Sequence, residues 1–145
     1  MPHSFTNIWI HAIWATKGRY PFIENKIEGQ IYKFIEHQFE EMNCQVKIIN
    51  GIPDHVHCLF LLNAQKSIAE VLKQVKGSSS FFINEQNLTE GQFSWQTGYS
   101  AFSVSESMLD KVFQYIKNQK AHHQLKTFQE ENEEYLKLFG FNKKK

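Results

Sequence analysis

The stretch PDHVHCLFLL, residues 53–62, sets His55 and His57 at the head of a run that is otherwise almost wholly apolar. Read as a strand, residues two apart point the same way. His55, His57, Leu59 and Leu61 then share one face, while Val56, Cys58, Phe60 and Leu62 share the other. Both faces are apolar, so both are expected to be covered, as in a strand inside a sheet. Imidazoles on a covered face are costly unless they are hydrogen-bonded or hold a cation. For an HxH pair alone, satisfaction by nearby backbone groups is the plainer reading.

Outward from this strand, the order of elements is readable. Gly51-Ile52-Pro53-Asp54 supplies turn chemistry, and Gln45 to Asn50 before it is rich in Val and Ile, which predicts a hairpin. Further upstream, Glu24 to Met42 carries Ile27, Ile31, Phe34, Ile35 and Phe39 at helical spacing. Ser4 to Thr16 alternates with period two and is apolar on both sides, a second central strand. Downstream, Ser67-Ile68-Ala69-Glu70 has the form of a capping box and opens a helix to about Asn84. Gly98 to Val104 reads as a fourth strand. Ser103-Val104-Ser105-Glu106 repeats the capping pattern ahead of a third helix running to about Gln124. A polar break at Lys126-Thr127 leads to a last helix around Phe128 to Phe139 and a basic tail. Strand, helix, strand, strand, helix, strand is the ferredoxin-like (βαββαβ) plan, an α+β fold with an antiparallel sheet. The paired histidines fall on a central strand of it.

With 145 residues the chain is expected to form one domain, its core over about 4–124 and the added helix and tail over 126–145. No apolar run reaches the length of a membrane span, and the first 17 residues do not read as a signal peptide. Cys44 and Cys58 are expected as buried free thiols of a reduced, cytoplasmic protein. The net charge of +1 argues against a strongly basic nucleic-acid binder, but the charges are unevenly spread. Acids gather at Glu24–Glu41 and Glu130–Glu134, and the stretch between carries an excess of lysines, so one face can be positive in a nearly neutral molecule.

The third helix adds a second element of interest. At about 100° per residue, Leu109, Val112, Phe113 and Ile116 make its core side. Asp110, Lys111, Gln114 and Asn118 make its wet side. Tyr115 and Gln119, one turn apart, fall on the border between the two, where an ordinary boundary Tyr and a surface Gln are common.

Together, PDHVHCLF and the later FQYIKNQ resemble the HUH single-strand nucleases, in which two histidines flank a hydrophobic residue and a tyrosine nucleophile lies on a separate helix. The closest resemblance is to the one-tyrosine transposases of the insertion-sequence two-hundred/six-hundred-and-five type and their REP-associated relatives. WIHAIWATKGRY and VLKQVKGSSSFFIN resemble the same family, so the likeness runs from about Phe5 to His123. It implies His55, His57 and Gln119 as ligands of a divalent cation, Mg²⁺ or Mn²⁺, and Tyr115 as nucleophile. It implies cleavage of single-stranded DNA bearing a hairpin, with a 5′-phosphotyrosine intermediate, a free 3′-OH and later rejoining. It also implies a homodimer whose active sites are shared between subunits, in a bacterial or archaeal cell.

Lys17, Arg19, Lys73 and Lys76 are candidate phosphate contacts, and Trp95 and Tyr99 candidate stacking surfaces, against the ordinary reading of solvated lysines and core aromatics. His11, His122 and His123 are candidates to line the site, with a boundary or surface position the commoner outcome. The rival function is a noncatalytic ferredoxin-like nucleic-acid-binding domain. Small histidine-dependent hydrolases fit less well: Leu59 stands where a histidine triad needs its third His, and no HExxH motif occurs.

Overall fold

A computed structural model of the chain describes residues 4–122 and 128–138. Four strands, β1 (Trp9–Ala15), β2 (Gln45–Ile52), β3 (His55–Leu61) and β4 (Ser100–Val104), form one antiparallel sheet in the order β2-β3-β1-β4. This is the ferredoxin-like order, and β1 and β3 are its two central strands, as the alternation of both segments predicts.

Helices α1 (Asn25–Glu41) and α2 (Ile68–Glu85) cover one face of the sheet. They bury Ile31, Ile35, Phe39, Leu72, Val75 and Ile83 against Ile10, Ala12, Trp14, Val56, Cys58 and Phe60. Each fully buried large side chain here stabilises the fold by about 1.5–3 kcal/mol relative to exposure. Ser67 and Glu70 do form a capping box, with Glu70 N–H donating to Ser67 Oγ at 3.0 Å and Ser67 N–H to Glu70 Oε1 at 2.8 Å. Both helices end alike. Asn43 and Asn87 take left-handed φ values of 58° and 53°. The N–H groups of Asn43 and Cys44 bond back to Glu40 and Phe39, and those of Asn87 and Leu88 to Asn84 and Ile83. That is the Schellman arrangement, with asparagine tolerating the left-handed position. Cys44 and Cys58 are buried free thiols, and burial raises the pKa of both.

The other face of the sheet carries His11, His55, His57 and Leu59 and is covered by α3 (Leu109–Lys117), α4 (Gln119–His122) and α5 (Phe128–Leu138). Two expectations are corrected here. The second serine-rich capping box does not form: Ser103 is taken into β4, opposite Ile10, and Ser105 starts a short 3₁₀ turn, Glu106–Met108, without a side-chain cap. Nor does the third helix run unbroken to Gln124. It stops at Lys117 and turns at Asn118 before α4 begins. Lys126 and Thr127, the expected break, lie outside the described residues, as does His123. Among the described residues, no helix is long and apolar enough to cross a membrane.

Candidate active site

The hairpin of β2 and β3 sets the position of the two histidines. Gly51 pairs with Val56, and a Cβ there would lie 2.2 Å from the His55 carbonyl oxygen. Only glycine allows so close an approach. His55 and His57 are consequently delivered to the same face, fully buried, with ring centroids 5.1 Å apart.

Each imidazole is held through Nδ1. Asp54 Oδ1 lies 2.7 Å from Nδ1 of His55, and a carboxylate can only accept, so Nδ1–H donates. Nδ1 of His57 shares a hydrogen bond of 2.9 Å with Nε2 of His11, a fully buried residue of β1. With both Nδ1 atoms engaged by protein partners, a cation held by this pair would be met by Nε2, the usual division of labour in histidine metal sites. Among the described residues no three His, Cys, Asp or Glu side chains are grouped to hold a metal ion. The amide of Gln119 is a donor of another type that could join two imidazoles around a cation. Gln119 is fully buried at the start of α4, a helix that packs on β2.

Tyr115 is buried as well, rather than on a border stripe, because α5 adds a second cover that the helical wheel of α3 cannot anticipate. Its ring centroid is 5.9 Å from that of His57 and 6.4 Å from that of His11. Tyr135 of α5 closes the cluster, 4.7 Å from His11, 5.3 Å from Tyr115 and 5.0 Å from Phe102. Burial raises the Tyr135 pKa, so its phenol stays neutral.

Residues 4–119 match the protein family described as "Transposase IS200 like". The chain belongs to that family. It is a transposase, an enzyme of DNA transposition. The chain is 26% identical to the ISDra2 transposase TnpA of Deinococcus radiodurans, over 75% of this chain and 81% of that protein. A solved transposase structure from Deinococcus radiodurans superposes with a TM-score of 0.65 at 25% identity, covering 82% of this chain and 95% of that one. The REP-associated tyrosine transposase bound to a REP hairpin shares the fold, with a TM-score of 0.63 at 12% identity over 85% of this chain and 74% of that one.

Within this transposase fold, a polar clamp joins the tyrosine helix to the histidine strand. Asn50, directly opposite His57 in the sheet, donates from Nδ2 to the carbonyls of Ile116 at 3.0 Å and Lys117 at 3.1 Å. These carbonyls lie at the end of α3, where the intrahelical ladder runs out. Lys120 Nζ donates to Asn50 Oδ1 at 2.7 Å and Gly51 O at 3.0 Å, and pairs with Glu28 at 2.9 Å. Sequence reasoning missed Asn50, Lys120 and Tyr135, and named His11 as a candidate to line the site while holding a boundary or surface position commoner. Only the alternation of β1, which puts His11 on a covered face, signalled any of them.

The expected DNA contacts divide. Lys17 and Arg19 are exposed in a tight turn directly after β1, where Thr16 N–H bonds to Asp54 O at 2.9 Å. Tyr99 is 44% exposed just before β4. All three therefore stand at the His55 end of the sheet. Lys73 is exposed on α2, on the opposite layer, where it lines a groove with Lys66, Glu41 and Glu70. Two candidates have other employment. Trp95 is in the core, its indole N–H donating to Ser79 Oγ at 2.9 Å and its ring edge-on to Trp14 and Phe93, so no face is presented for a base. Lys76 Nζ donates to Gln96 O at 2.9 Å and Gly98 O at 2.7 Å, and its pKa is lowered by burial. It pins the loop before β4.

Proposed function

We propose that the enzyme cleaves single-stranded DNA by attack of Tyr115 on a phosphodiester, with His55, His57 and Gln119 holding a divalent cation, Mg²⁺ or Mn²⁺. The observation that carries this reading is the pairing of two buried imidazoles, each engaged at Nδ1, with a tyrosine ring 5.9 Å from one of them. A free phenol has a pKa near 10, so only about 0.1% is phenolate at neutral pH. When bound, the cation would polarise the scissile phosphate and offset charge developing on it. Two imidazoles and an amide suit that purpose, because they bind without cancelling its charge.

Tyr115 then loses its proton to water as its Oη forms a bond to phosphorus, and the P–O3′ bond breaks with the departing 3′ oxygen taking a proton from water. The products are a 5′-phosphotyrosine and a free 3′-OH. The covalent ester conserves the energy of the broken diester, so a second 3′-OH can reverse the step and rejoin strands without ATP. Lys17, Arg19 and Tyr99, at the His55 end of the sheet, are the residues we assign to guiding the strand in. The relative solved with a REP hairpin motivates a hairpin-bearing strand as substrate. A homodimer belongs to the proposal on the family resemblance, while the proximity of Tyr115 to His57 of its own chain supports attack within one subunit.

The test incubates the full chain with labelled hairpin-bearing single-stranded DNA and Mn²⁺, followed by denaturing electrophoresis. A covalent adduct is expected from the wild type and none from Tyr115→Phe, which still binds DNA. An adduct that persists in Tyr115→Phe removes the assignment of nucleophile. Binding without any adduct in the wild type favours the noncatalytic domain.

A further inference from the structure

We infer that His11 is a positioning residue for His57, fixing its tautomer so that Nε2 can serve a cation; this rests on the metal-binding reading above. His11 lies on β1, the central strand beside β3, diagonal to His57 across the ladder. It is fully buried, and its Nε2 is 2.9 Å from Nδ1 of His57, with ring centroids 5.1 Å apart. Two ring nitrogens at that distance share one proton, since two bare nitrogens would repel and two N–H groups would clash.

The direction of this bond follows from the chemistry required of His57. A neutral imidazole that offers Nε2 carries its proton on Nδ1. His57 must therefore donate, and His11 must accept at Nε2 and keep its own proton on Nδ1. Were His11 to donate instead, the neutral His57 would be protonated at Nε2 and closed to a cation. The rings of Tyr135 at 4.7 Å and Phe102 at 6.4 Å flank His11 and limit its rotation. Asp54 performs the matching service for His55, as a carboxylate. The two ligands are thus aligned by different partners, one anionic and one neutral, and His11 acts on the cation only through His57.

A packing role makes the opposite prediction for substitutions. In a buried aromatic setting, Leu would be tolerated better than Gln. If His11 serves as acceptor, Gln is the conservative replacement, because its Oε1 can stand where Nε2 was, and Leu is not. The experiment titrates Mn²⁺ into the full chain without DNA, following free Mn²⁺ by electron paramagnetic resonance. His11→Leu is expected to weaken binding by ~10–100-fold, the usual effect of losing a ligand's outer partner, and His11→Gln by only a few fold. Wild-type affinity in His11→Leu, or tighter binding there than in His11→Gln, overturns the inference while leaving the metal reading intact. His57→Ala is run beside them: affinity indifferent to that change removes the metal reading and this inference with it. Should His11→Leu fail to fold, imidazole ¹⁵N spectra of the Mg²⁺-loaded wild type decide the matter. Protonation of His57 at Nδ1 and a bare Nε2 on His11 are expected; a proton on His57 Nε2 overturns the inference.

Discussion

Replacing Gly51 with Ala should damage the site from a position that carries no functional group. The added Cβ would lie 2.2 Å from the His55 carbonyl oxygen and 3.1 Å from Val56 Cα, both backbone atoms that cannot swing aside. Ordinary contact begins at 3.4 Å, so the hairpin must open by about 1.2 Å at the residue that starts the HxH pair. Forcing a methyl group into a filled space costs typically 1–3 kcal/mol. A displacement of about 1 Å at a reacting centre can cost on the order of 100-fold in rate. Gly51→Ala is therefore expected to lower the urea midpoint and to cut the adduct rate by about two orders of magnitude. Gly29→Ala and Gly77→Ala are the controls. Each sits in a helix with nothing within 4 Å of the new Cβ, and each should stabilise the chain by up to ~1 kcal/mol. If Gly51→Ala unfolds at the wild-type urea concentration and forms adduct at the wild-type rate, the close approach is not what places His55.

Other expectations follow from the same geometry. Asn50→Ala removes a side-chain donor from the last carbonyls of α3 and should cost roughly 0.5–1.5 kcal/mol in denaturation. Its adduct rate should fall, and Mn²⁺ affinity with it, because the clamp holds the helix of Tyr115 directly and the segment of Gln119 through Lys120. Ser67→Ala removes one half of the capping box of α2 and should cost about 1 kcal/mol by urea melting, with activity unchanged. Burial raises the pKa of Tyr32, with the Glu28 carboxylate adding to the effect, and burial alone raises that of Tyr135. Both phenols stay protonated in the fold at a pH where the unfolded chain loses its protons. Stability is then constant below pH ~10 and falls above it by up to ~1.4 kcal/mol per pH unit for each group. Tyr32→Phe and Tyr135→Phe should each flatten that decline.

How much was legible in the sequence depended on how local its cause is. His55 and His57 could be placed on one covered face because strand alternation is a property of the chain itself, and the sheet order followed from the order of elements. The box at Ser67 was readable because nothing else competes for its serine. The similar pattern at Ser103 failed because β4 claims that residue for pairing with β1. The partners of Trp95 and Lys76, two of the candidate DNA contacts, were hidden for a related reason: Ser79 and the carbonyls of Gln96 and Gly98 reach them only after folding. His11 was visible on the right face of its strand, but its partner is 46 residues away. Asn50 gave no signal, since its role exists only where α3 ends against β2. Tyr115 read as a boundary residue because the wheel of one helix cannot show what a later helix will lay over it.

The imidazoles and the phenol also belong to parts of the molecule that should not open together. His11, His55 and His57 ride on β1 and β3, each laced to a neighbouring strand along both edges. Tyr115 and Gln119 ride on helices of nine and four residues that lean on the sheet from one side. Partial opening spreads from weakly held segments toward the most heavily bonded ones. Amide exchange should therefore release the helix pair well before the central ladder, and a molecule caught between those two events would keep its imidazoles aligned while losing the phenol and the amide together.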